Sequence, residues 1–157
     1  MAINIKYEDH VVMYVSNLIA QKYGAHIKNV TVTNDTDNGT IVSLGDWIEL
    51  DHYKDKDYTG DFKAVIRQAS VARDNFWFVE VLEPGDAYLL YNVPITPYNK
   101  PRALKDPQRF YNAAGDQVRA YQLSKGDIFE ISTDGIEGTP TAGAELEVKN
   151  GKLSVKG

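Results

Sequence analysis

The chain of 157 residues carries 17 Lys and Arg against 22 Asp and Glu, a net charge of −5, and so lacks the basic excess of a nucleic-acid binder. The length is that of one domain able to bury a core without covalent staples. With no cysteine there is no disulfide, no thiolate metal ligand and no cysteine nucleophile.

The opening stretch "MAINIKYEDHVV" has no basic region running into a long apolar one, so no signal peptide is expected. Nowhere do about 18 apolar residues run together, which removes a transmembrane helix and leads to the expectation of a soluble protein without a membrane partner. Over 8–23, Val11, Val12, Val15, Leu18 and Ile19 recur at helical spacing, and the pattern predicts an amphipathic helix capped by Asp9. The β-branched run around Val11 and Val15 keeps a strand as the alternative. Residues 1–26 are therefore set apart as an N-terminal amphipathic segment from a β domain over 27–157.

From Ile27 the period becomes two. "IKNVTVT" alternates, "NDTDNG" is a tip of turn formers, and "TIVSLGDWIEL" resumes as an extended run. "DHYKDKDYTGD" over 51–61 reads as a charged, solvated excursion. "FKAVIRQAS", "FWFVEVL" and "AYLLYNV" then give three strands with short connections, which favour antiparallel neighbours. Residues 93–109 contain four of the six prolines and predict a long loop, since each proline removes a ladder donor. "DPQRFYNAAG" suggests a short helix begun by Asp106 and Pro107. "QVRAYQL", "DIFEIS", "AELEV" and "KLSV" complete the strands, the last two joined by Asn150-Gly151, a strong hairpin signal. Gly45-Asp46, Gly85-Asp86, Gly126-Asp127 and Gly143 each precede alternation and read as recurring corners. The fold expected is mainly β: a small antiparallel β-barrel or sandwich with an N-terminal helical segment and a long proline-rich loop.

Chemistry is sparse. An EF-hand registered from Asn34 fails because Gly45 stands where the bidentate Glu belongs. Asp51, Asp55, Asp57 and Asp61 with His52 form a possible oxygen-rich cluster, but Lys54 and Lys56 offset it and a solvated loop explains it better. His10, His26 and His52 stand apart without ligand spacing. There is no phosphate-binding glycine loop and no nucleophile elbow. Neither a cofactor nor a metal is expected, and a spatial carboxylate pair would be needed to revive an enzyme. Charge is uneven. Lys100, Arg102, Lys105, Arg109, Arg119 and Lys125 make one stretch basic, while Asp127, Glu130, Asp134, Glu137, Glu145 and Glu147 make the next acidic.

The segments "NGTIVSLGDWIE", "RFYNAAGDQVRAYQLSKGDIFEIS", "GIEGTPTAGAELEV" and "NGKLSVKG" resemble small structural proteins of tailed bacteriophages of Gram-positive hosts, of the head-decoration or capsid-cement kind. The resemblance implies a non-enzymatic virion protein, made in the host cytoplasm and bound to the outside of the assembled head. Its partner would be the lattice of the major capsid protein, accompanied by self-association. A tail or head–tail joining component is the nearest alternative. A carbohydrate-binding module displaying Trp47, Trp77 and Tyr91 is another. The residues expected to dock are Tyr98, Arg102, Phe110 and Tyr111 in the proline-rich stretch. Val11, Val15 and Leu18 are expected to pack on the β domain or on a neighbour.

Overall fold

The computed structural model describes residues 11–15, 18, 26–50, 52–71, 73–93 and 110–156. The protein is mainly β and forms two sheets. The strands in chain order are β1 (Met13–Tyr14), β2 (Ile27–Thr31), β3 (Ile41–Glu49), β4 (His52–Asp57), β5 (Lys63–Ala69), β6 (Phe76–Glu83), β7 (Tyr88–Tyr91), β8 (Gln117–Gln122), β9 (Ile128–Ser132), β10 (Ile136–Glu137), β11 (Glu145–Lys149) and β12 (Lys152–Val155).

Seven strands make one sheet in the order β1-β9-β6-β5-β11-β12-β10. The other five pair in a ring, β2-β4-β3-β7-β8, closed because β8 also pairs with β2. The expectation of a wholly antiparallel arrangement is corrected at two places. β2 runs parallel to β4 and β10 runs parallel to β12. Both pairings join strands that are not connected by a tight turn, so nothing in the connection forces reversal.

The N-terminal helix is not found where the chain is described. Met13 and Tyr14 pair as a strand with Ile131 and Glu130 of β9. The backbone amide of Val12 donates to Ser132 Oγ at 3.0 Å, and Ser132 donates back to the Val12 carbonyl at 2.8 Å. The β-branched run thus prevails over the helical spacing, because an extended chain can complete the edge of β9. The remainder of that expected helix, with Asp9 and His10, lies outside the described residues.

A second correction concerns 51–61, expected as a loop. His52–Asp57 is a strand that pairs with β3 on one side and β2 on the other. Its charged residues are accommodated because Lys54, Lys56 and Asp57 face outward while His52 is buried. The helix expected from Asp106 begins outside the described residues, and Phe110 to Gly115 carry no helical turn, Asn112 bridging instead to Thr36. Among the expected corners, Gly85, Gly126 and Gly143 do lie at turns with positive φ. Gly45 does not turn. It lies within β3, where a Cβ would stand 2.8 Å from the Lys54 carbonyl oxygen, and the ladder to β4 shifts register immediately beyond it. Asn150 and Gly151, at φ 53° and 77°, form the anticipated tight hairpin between β11 and β12.

Two hydrophobic clusters result. The larger lies between the sheets and includes Ile66, Val79, Phe129 and Ile131 of the seven-stranded sheet. Val11, Val15 and Leu18 are buried in it, so their packing partner is this chain's own core. The smaller fills the ring with Val30, Val32, Val42, Leu90, Val118 and Ala120. Three strands serve both clusters through consecutive residues. Ile41, Leu89 and Tyr121 belong to the larger; Val42, Leu90 and Ala120 belong to the smaller. Period-two alternation sends neighbours to opposite faces, and burial of both faces produces apolar doublets instead of alternation.

Because both clusters hang on the same strands, they should unfold together. Leu89→Ala and Leu90→Ala, each removing a fully buried side chain, should each cost about 2–5 kcal/mol. Urea unfolding followed by tryptophan fluorescence and far-UV circular dichroism should show one shared transition in both variants. Separate transitions would refute the coupling.

Candidate docking surface

Two features stand out from the β scaffold. The first is the flank of β3. Its pairing with β7 ends at Val42, although β3 continues to Glu49 and remains paired with β4. Among the described residues, 43–49 therefore have no strand on the β7 side. This stretch and its turn hold Trp47, 66% exposed, Ile48, 41%, and Leu50, 83%. Large apolar side chains gathered on an open strand mark an interaction surface more than scattered ones would.

The hairpin carrying this edge is held in place at both ends. Near its tip, His52 Nε2 and Thr31 Oγ1 share a 2.6 Å hydrogen bond, and His52 Nδ1 lies 3.4 Å from Glu49 Oε1. Thr33 donates to Asp55 from its hydroxyl at 2.6 Å and from its amide at 3.3 Å. At its root the hydroxyl of Tyr58 donates to the Gly85 carbonyl at 2.8 Å. Burial, and then the carboxylates of Asp61 and Asp86, raise the Tyr58 hydroxyl above its ordinary value.

The second feature is a polar knot of three asparagines. Asn38 Nδ2 donates to the Asn92 carbonyl at 2.9 Å and Asn92 N donates to Asn38 Oδ1 at 3.0 Å. Asn112 Nδ2 donates to Asn38 Oδ1 and to the Thr36 carbonyl, both at 3.1 Å. Asn92 Nδ2 reaches Asn112 Oδ1 at 3.3 Å and the Gln117 carbonyl at 3.0 Å. Asn92 and Asn112 precede and follow the proline-rich stretch in the sequence, so the knot ties the end of β7 to the residues that lead into β8. Asn38 and Asn112 are almost wholly buried, and a fully paired amide network is the only inexpensive way to keep them there.

Beside the knot lies a crevice of about 600 Å³ whose lining includes Asp55, Asp57, Tyr111, Leu90 and Lys152. Two of its carboxylates already serve the fold: Asp55 accepts from Thr33, and Asp35 accepts from the Ala114 amide at 3.0 Å. Among the described residues no three His, Asp or Glu side chains gather into a metal-holding group. Asp55 and Asp57 lie on β4, and His26 meets Gln122 Oε1 at 3.0 Å.

Of the expected docking residues, Tyr98 and Arg102 lie outside the described residues. Phe110 is buried and Tyr111 is half-buried at the crevice. Val11, Val15 and Leu18, as shown above, are interior. The acidic C-terminal stretch is partly consumed within the fold. Asp127 is buried and caps its turn by accepting from the Ser124 amide at 2.8 Å. Glu130, with its side chain 6% exposed, takes a 2.6 Å bond from Arg73, whose guanidinium also lies 4.0 Å over the Tyr14 ring.

No family model matches the chain, and neither a curated protein nor a solved structure matches it.

Two measurements check these anchors. Asn112→Ala removes the donor to Asn38 and Thr36 and should cost about 1–3 kcal/mol, the range for leaving buried polar partners unpaired; an unchanged urea midpoint would contradict the knot. For Tyr58 the folded-state pKa is raised, so its contribution is complete below the unfolded value and disappears as pH rises through the folded one. Tyr58→Phe should therefore lose less stability than the parent as pH rises from about 10, the ordinary tyrosine value, through the raised folded value. Tyr88 and Tyr91, whose hydroxyls are also raised chiefly by burial, are common to both proteins and cancel in the difference.

Proposed function

We propose that this chain is a non-enzymatic structural protein of a tailed bacteriophage that binds the outer surface of the assembled head, in the manner of a decoration or cement protein. The observation that carries the reading is the exposed edge of β3 with Trp47, Ile48 and Leu50. A protein that packs two apolar cores, yet leaves a tryptophan and two aliphatic side chains on one hairpin, is suited to burying that hairpin against another surface. The segment resemblance supplies the class of surface, the lattice of the major capsid protein. Many equivalent sites on such a lattice allow repeated weak contacts to act together where copies also touch one another.

In this reading the hairpin is the principal anchor. Tyr98 and Arg102 remain proposed as further contacts. Phe110 is buried and Tyr111 borders the crevice. The small five-stranded ring is the barrel half of the proposed architecture, and the seven-stranded sheet is the platform that presents it.

The carbohydrate-binding alternative called for exposed aromatics such as Trp47, Trp77 and Tyr91. Trp77 packs against the larger core with Nε1 donating to Thr133 Oγ1 at 3.1 Å, and Tyr91 packs there beside Tyr121. Only Trp47 of the three is largely exposed, which favours a docking hairpin over a stacking platform.

The test is co-sedimentation of the purified protein with mature heads that lack it, beside unexpanded precursor heads. Saturable binding to mature heads is expected. The double variant Trp47→Ser, Leu50→Ser should retain its urea midpoint, since both side chains are exposed, and should bind at least about tenfold more weakly, as loss of a hot-spot pair would produce. Absence of parental binding to either head form would overturn the reading.

A further inference from the structure

An apolar patch alone says only that something covers it. The β3 edge says more, because its backbone is already extended and, among the described residues, 43–49 lack a ladder partner on one flank. A helix or an irregular loop placed there would cover the side chains and leave peptide N–H and C=O groups to water. An added strand would satisfy both. Edge strands are ordinarily guarded against such addition by lysine, by proline, by inward charges or by bulges. The stretch "SLGDWIE" has neither lysine nor proline. Its irregularity is confined to the ladder with β4, where the register shifts between Leu44 and Trp47 and again between Trp47 and Glu49, and Trp47 and Ile48 are exposed.

Charge selects among possible strands. The only ionisable residues of 43–49 are Asp46 and Glu49, and both are exposed. Two copies meeting edge to edge would bring these carboxylates together, and like charges on adjacent strands repel. A strand bearing lysine or arginine would be attracted. The proline-rich stretch of this chain is basic, but its four prolines over 94–107 make it a poor ladder partner.

We propose that the open edge of β3 accepts an extended, lysine- or arginine-bearing segment of a partner protein as an added strand, with Trp47 and Ile48 taking alternate side chains of that segment. Recognition then has two parts: backbone bonds give the binding its geometry, and flanking side chains give it selectivity. This rests on the reading of the hairpin as the docking element and adds the chemistry of what it docks to.

The experiment uses the full-length protein, labelled with ¹⁵N, and follows amide hydrogen exchange along β3. Three synthetic heptapeptides are added: one alternating lysine with valine, one alternating glutamate with valine, and the lysine–valine peptide N-methylated at every other amide. The lysine–valine peptide should slow exchange over 43–49 by about tenfold or more, as newly paired amides do. The glutamate and N-methylated peptides should not. Trp47→Lys, which places a guarding cation on the edge, should abolish the protection while leaving the fold intact.

Unchanged exchange over 43–49 with the lysine–valine peptide would overturn the proposal, as would equal protection by the N-methylated one. Protection that grows with protein concentration in the absence of peptide would place a second copy on the edge and overturn the assignment of a basic partner. Heads that bind the protein while the lysine–valine peptide leaves β3 unprotected would overturn strand addition and leave the capsid reading standing.

Discussion

The structure depends on three strands being buried on both faces. β3, β7 and β8 each send one residue of an apolar doublet into the core between the sheets and the next into the interior of the ring. A polar residue at any of these six positions would have to be satisfied in one core or the other. The ring shares these strands with the larger core, and the seven-stranded sheet relies on Ile41, Leu89 and Tyr121 for part of its cover. Shared strands transmit the position of one sheet to the other with little slack, since close-packed interiors deform poorly.

That rigidity gives the exposed hairpin its meaning. The root of β3 is locked by its two buried residues, Ile41 and Val42, and by the backbone bond from the Ile41 amide to the Gly151 carbonyl at 2.7 Å. Beyond the root, among the described residues, the strand is paired on the β4 side alone. The asparagine knot does comparable work beside that root, tying the loop before β3 to the end of β7 and the approach to β8. Its bonds run between the three side chains and to backbone groups, which makes it a fastener of the fold.

Much of the scaffold was legible in the sequence because period-two alternation survives wherever one face meets a core. The strands from Lys63 through Tyr91 and from Gln117 onward, together with the Asn150-Gly151 turn, were readable on that ground. β4 was not, because its alternation is written in lysines and aspartates and its extended state comes from the strands on either side. The segment around Met13 was misread as helical for a related reason: Val11, Val15 and Leu18 fit a helix face, and the available edge of β9 decided otherwise. Gly45 resembled the other glycine corners in sequence, yet its role is to let β3 and β4 approach.

The docking surface was less legible still. Trp47 and Leu50 look like ordinary strand residues, and their exposure follows from β7 ending its pairing at Val42, a tertiary fact. Asn38 reads as a turn former, Asn92 as part of a strand and Asn112 as part of a short helix, and their convergence over separations of 54, 74 and 20 positions has no local signature. Phe110 and Tyr111, chosen as contacts because aromatics in a proline-rich stretch suggest an arm, are drawn inward by the bridge between Asn112 and Thr36.

The asymmetry of the edges has a consequence for assembly. The ring closes on itself, and the seven-stranded sheet ends in β1 and β10, each of two residues, too short to seed a ladder. Among the described residues only β3 offers a long unpaired flank, and every strand they form already has a partner. Head-to-tail growth needs a donor as well as an acceptor. Crowding the described strands side by side on a surface would therefore raise the local concentration of acceptor edges without supplying strands to join them.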